Sequence, residues 1–308
     1  MTWVQSICLC WLACAAISAE PAGPSAASPA RTRPLQVVCG NAVVWDIARQ
    51  IGGDRIRATS LVPPGADPHQ FQPTAAEAKA LAGADLVVLN GLGFEGWFEP
   101  LARESSYRGR VVVASAGCVA RQLAAAHGHD HGHDHAHDDP HAWMDLANGQ
   151  RYAENIRDAL IAADPAGTAD YRAWGDACAA SLRTLNNWVK LQIALIPPER
   201  RVLVTNHDAC GHFAAAYGFT IKAPVTALED AQPSAKELAA LVAWIRDQRV
   251  PAVFLEHAKN PQLVLRLAEE AGVRNGGELF LDTIPAEGPS SYQGMFLLNV
   301  RRIVGALQ

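Results

Sequence analysis

Short apolar runs of β type recur along the chain, each followed by a stretch with helical spacing. Four lie in the first half: Leu35–Cys39, Ile56–Val62, Asp85–Asn90 and Arg110–Ser115. Four lie in the second: Arg201–Thr205, Ile221–Val225, Ala252–Glu256 and Leu279–Asp282. Continuous apolar runs such as LVVL and VVVA predict sheets covered on both faces. Their alternation with helices predicts parallel α/β lobes. Between the two sets runs one long helical segment. Asp164-Pro165 is a start signal, a capping residue followed by a first-turn proline. Tyr171, Trp174, Cys178, Leu182, Leu185, Val189 and Ile193 then fall on one helical face, and Pro197-Pro198 ends the run. Some 25 to 30 residues reach roughly 40 Å, enough to run along both lobes and limit hinge motion. The expected architecture is α/β: two parallel-sheet lobes, 35–163 and 198–308, joined by one long rigid helix within 164–197.

The N-terminus reads differently. Residues 3–17 are mostly apolar, too short to span a membrane, and lead into Ser18 and Ala19. This predicts a secretory signal over 1–19, although no Lys or Arg precedes the apolar run. Cys14 is a poor match to a lipoprotein cleavage box. Residues 20–34 are a Pro/Ala/Ser tether with nothing to bury. Export implies a periplasmic, oxidising setting. Of seven cysteines, Cys39, Cys118, Cys178 and Cys210 would remain after cleavage, and three pairings or none are open to them. The body is globular in composition, with 49% hydrophobic and 19% charged residues. Its 26 basic and 31 acidic side chains leave no basic stripe for phosphates, so nucleic acid is not an expected partner.

Histidine is the unusual residue. Of eleven, seven fall within the fifteen residues 127–141. His127, His129, His131, His133, His135 and His137 alternate with Asp and Gly in a loop spanning 126–139, which cannot bury a core. Dense imidazoles of this kind suit weak metal capture, lost when they protonate. Three others border predicted strand ends: His69 in PGADPHQFQPT, His141 in DPHAWMD and His207 in TNHDACGHF. Asp282 ends the predicted run LFLD. Ligands collect at the carboxyl ends of parallel strands. Three imidazole nitrogens and a carboxylate oxygen suit tetrahedral zinc.

The segments PGADPHQFQPT, ADLVVLNGLGFEGW, the histidine run with DPHAWMD, TNHDACGHFAAAYGF, and FLEHAKNPQL through LFLDTIP resemble the substrate-binding proteins of zinc and manganese ABC importers. The resemblance covers roughly residues 36–305. It implies a metal site in the cleft between lobes, with His69, His141, His207 and Asp282 as ligands. It also implies zinc rather than manganese, because manganese-type members carry Glu where this chain has His207; Mn2+ and Cu2+ are weaker alternatives. His212 reads as a packed or supporting residue, His257 matches no ligand position, and Glu256 reads as a support for the site or for lobe packing.

The implied function is non-enzymatic: high-affinity Zn2+ capture outside the inner membrane and delivery to a permease served by an ATPase. A metallochaperone is a further candidate partner, and a monomer is expected. No Walker A loop is present, so energy coupling lies in a partner. A periplasmic zinc chaperone or store, or a manganese-type binding protein, is the alternative. A zinc hydrolase is remote, for the chain lacks HExxH and GxSxG.

Overall fold

The computed structural model describes residues 33–122, 138–224, 234–257 and 259–308. The expected signal and nearly all of the tether, the histidines from 127 to 137, and Val225 lie outside the described residues.

The first half contains β1 (Leu35–Cys39), α1 (Ala42–Gly52), β2 (Ile56–Ser60), α2 (Ala75–Ala82), β3 (Leu86–Leu89), α3 (Phe98–Glu104) and β4 (Arg110–Val113). Its sheet has the order β2-β1-β3-β4, parallel throughout. LVVL, as β3, is central and buried along its whole length. VVVA departs from expectation: β4 is the edge strand, and Val111 and Val113 are 41% and 40% exposed. An apolar run is thus no guarantee of two covered faces.

A 3-10 turn at Ala142–Met144 and α4 (Leu146–Ala163) lead to the long helix α5 (Thr168–Ile193). Asp164 does not cap it. A separate 3-10 turn, Pro165–Gly167, intervenes. The Asp164 carboxylate instead accepts bonds from Arg55 Nη2 at 2.9 Å and from the Tyr171 hydroxyl at 2.9 Å. The 26 residues of α5 extend about 39 Å. Its expected face is buried, with Trp174 half-buried. It packs on α1 and α4 from the first half and on α9 from the second.

The second half contains β5 (Val202–Val204), α6 (Gly211–Tyr217), β6 (Thr220–Lys222), α7 (Ala235–Asp247), β7 (Ala252–Glu256), α8 (Gln262–Ala271), β8 (Arg274–Leu279) and α9 (Tyr292–Leu307). Parallel pairs β5-β6 and β7-β8 lie side by side through β5 and β7. The last strand is displaced from the expected Leu279–Asp282 to Arg274–Leu279. Beyond Leu279 the backbone is held by side chains instead of a ladder. Asn299 of α9 accepts from Phe280 N–H and donates to its carbonyl, and Trp143 Nε1 donates to Leu281 O at 2.9 Å.

One buried core runs through both halves, from Leu35 and Trp143 to Phe254, Phe280 and Phe296. A smaller cluster lies within each half. Cys39, Cys118, Cys178 and Cys210 are free thiols. Among the described residues, no helix is long and apolar enough to cross a membrane.

Candidate metal centre

Three of the four singled-out residues follow a strand, and His141 instead directly precedes a helical turn. His69 lies in the loop after β2, His141 just before the 3-10 turn that precedes α4, His207 after β5, and Asp282 three residues beyond β8. The fold brings one ligand atom from each to within 4.8 Å of the others. His69 Nε2 is 3.3 Å from Asp282 Oδ2, His207 Nε2 is 3.4 Å from the same oxygen, and His141 Nε2 is 3.2 Å from Oδ1. Ligands about 2.0–2.1 Å from a common tetrahedral centre stand roughly 3.3–3.4 Å apart. The three nitrogens and Asp282 Oδ1 are buried and have no hydrogen-bond partner. Orphaned buried polar atoms are costly, and four converging on one point form a group that can hold a cation.

Two of the imidazoles are fixed from behind. Asp139 Oδ1 accepts from the His141 backbone N–H at 3.0 Å and from its Nδ1–H at 2.8 Å. Glu256 does the same for His207, taking the backbone N–H at 2.8 Å on Oε1 and Nδ1–H on Oε2. These bonds set the tautomer that turns Nε2 toward the centre. Glu256 is itself placed by its backbone N–H, which donates to Asn206 Oδ1 at 3.1 Å. Asn90 donates to Pro140 O at 2.9 Å and accepts from the Tyr152 hydroxyl. Phe94 packs edge-on against His69, His141 and Trp143, closing the apolar side.

Electrostatics follow from this packing. Burial opposes charge on the His141 ring, but the Asp139 bond and the facing Asp282 carboxylate outweigh it and pull the ring up to about 9. His207 is likewise buried, and the charges of Glu256 and Asp282 raise it well above the ordinary imidazole value. Burial works against ionisation of Asp282, yet the facing histidines, His207 foremost, hold it well below the usual carboxylate range.

His212, on α6, stands apart from the group. It is buried, donates from Nε2 to Asp139 O at 3.2 Å, and is lowered by that burial. His257 stacks on Phe280 and bonds Glu278 Oε1 at 3.1 Å. The sequence reading missed Asp139; the signal available was its position two residues before His141 in DDPH. It also missed Asn90 and Phe94, whose roles depend on a loop folding back over residues 50 positions away.

The family profile described as zinc-uptake complex component A, periplasmic (ZnuA), matches residues 37–306. The chain is 31% identical over 277 residues to the manganese-binding lipoprotein MntA of Halalkalibacterium halodurans, covering 89% of this chain and 88% of that one. It is 32% identical over 258 residues to the iron-binding protein YfeA of Yersinia pestis, covering 83% and 80%. Among solved structures, the periplasmic zinc-binding protein TroA from Treponema pallidum matches with a TM-score of 0.79 at 29% identity, over 89% of this chain and 99% of that one. A family match of this extent, on this fold, means that the chain belongs to the zinc-uptake complex component A family, the substrate-binding components of metal ABC importers.

Proposed function

We propose that this chain captures Zn2+ in the periplasm and hands it to the permease of an ATPase-driven importer, with His69, His141, His207 and Asp282 as the ligands. The observation that carries the reading is the convergence of four buried, otherwise unsatisfied donor atoms from separate loops. Three imidazole nitrogens make the set softer than the oxygen-rich sites that suit manganese. Four protein ligands complete a tetrahedral sphere and leave no position for an activated water, which favours binding over hydrolysis. Residues 1–19 serve as the export signal in this reading, and the histidines from 127 to 137 as an auxiliary capture loop. Manganese is the second reading, favoured by the relative named for it.

Equilibrium competition on the metal-free chain tests the assignment. Zinc is expected to displace manganese by at least about a thousandfold in affinity, and copper to rival zinc, as the intrinsic order of divalent metals dictates. A preference for manganese would overturn the zinc assignment.

A further inference from the structure

His69 differs from the other two imidazoles of the site. Its side chain is 19% exposed, against 0% for His141 and 6% for His207. Among the described residues, no carboxylate or carbonyl accepts from its Nδ1. Its position is set instead through the backbone of its loop. The His69 N–H donates to Asp67 Oδ1 at 2.9 Å. The same carboxylate receives Lys259 Nζ at 3.2 Å on Oδ1 and 2.9 Å on Oδ2. Both members of this ion pair are only 10% exposed. Lys259 belongs to the second half, and its backbone N–H donates to Glu256 O at 3.3 Å, on the residue that holds His207. Two bonds from Gly65 N–H, to Thr283 Oγ1 at 2.9 Å and to Ile284 O at 3.1 Å, join the other end of the loop to the segment just after Asp282.

We propose that the Asp67–Lys259 pair is a latch that positions His69 in the metal centre and sets the rate at which the bound ion leaves. The inference rests on the metal reading above and extends it to two residues that touch no ligand atom of the centre. Lys259 anchors Asp67, Asp67 orients the His69 backbone, and His69 is the ligand with the least other support. A nearly buried charge pair whose partner is removed acts on dissociation more than on association. The latch therefore governs retention, while capture by the other three ligands proceeds at its ordinary rate.

Zinc release from the loaded full chain, followed by stopped flow with an excess of a chromophoric chelator, tests this. Lys259→Met is expected to release zinc at least about tenfold faster, with the capture rate within about twofold of the parent. Lys259→Arg keeps the charge and should restore slow release. Asp67→Asn keeps an acceptor for the His69 N–H but loses the charge, and should match Lys259→Met. The double variant should be no faster than either single one, because the two residues act as a unit. Parent-like release in both single variants, or effects that multiply in the double variant, would overturn the latch. A parent chain that fails to retain zinc would instead refute the metal reading itself.

Discussion

Metal capture by this centre should expel protons at neutral pH, and the number expelled is readable from the structure. A metal ion needs the neutral imidazole, so any proton resident on Nε2 must leave. His141 is pulled up to about 9 by Asp139 and Asp282 against the opposing effect of burial. At pH 7, below that value, most metal-free molecules carry that proton, and apparent affinity is reduced on the order of a hundredfold. His207 is raised well above its ordinary value by Glu256 and Asp282 and adds to the release. Asp282, held well below the carboxylate range, has none to give. Zinc binding at pH 7 should thus release between one and two protons. Affinity should climb at least tenfold per pH unit from pH 6.5 and flatten only above about 9. Calorimetry in two buffers of different ionisation enthalpy counts the protons, and chelator competition across pH 6–10 gives the slope. Asp139→Asn removes the principal support of the His141 charge and should lower the count. Release of fewer than about half a proton at pH 7, or an affinity flat from pH 6.5 to 9, would refute the reasoning.

Four further outcomes are expected. Asp282→Ala should weaken zinc retention by at least about a hundredfold in chelator competition, since a coordinating group outweighs the supporting ones whose loss typically costs ten- to a hundredfold; unchanged affinity would mean that Asp282 is no ligand. The metal-free fold should lose stability as pH rises. The raised His141 contributes fully below about 6.5 and loses its contribution as pH passes about 9, on the order of 3 kcal/mol in denaturant titrations, while zinc-loaded protein stays flat over that range. Deleting residues 126–138 should reduce the number of zinc ions bound per chain in equilibrium dialysis and leave one tight ion, and the extra capacity of the parent should vanish at pH 5.5 as imidazoles protonate. Trp143→Phe removes the indole N–H from the buried Leu281 carbonyl and should cost about 1–3 kcal/mol by urea unfolding.

The ends of β1 and β7 were readable to the residue, because the mostly apolar five-residue runs LQVVC and AVFLE are bounded by Gly40 and by Pro251 and His257. β8 was not, because its sequence, RNGGEL, is polar and rich in glycine. Gly276 is needed where a Cβ would come within 2.4 Å of the Phe254 ring, and such close approaches leave no apolar signature. The neighbouring Phe280 and Leu281 are apolar for a different reason: both are buried, with Asn299 of α9 pairing the Phe280 backbone and Trp143 the Leu281 carbonyl. The histidines of the centre stood out because His69 and His207 lie in loops that follow strands and His141 lies in the DPHAWMD segment that opens a helical turn. Asp139, Asp67 and Lys259 did not, since a carboxylate or amine in a loop is ordinarily solvated and only the folded contact gives it a partner. For Asp67 and Lys259 that contact spans 192 positions of sequence.

If the centre binds its ion as proposed, it must still let the ion go, and the packing restricts how. Swinging the halves apart would open a core that includes Leu35, Trp143, Phe254 and Phe296. Exposing each such side chain costs about 1.5–3 kcal/mol. The long helix α5, packed on elements of both halves, resists the same motion. Lifting the His69 loop requires none of this. It breaks two bonds from Gly65 and one ion pair, each replaceable by water, and lifts His69 off the edge of Phe94. In the proposed four-ligand centre, lifting His69 alone would leave three ligands and open a position for a donor from the permease. Release by a displaced loop is thus easier than release by a hinge, which is why the latch on that loop, and not the stiffness of the helix, should set how long the ion stays.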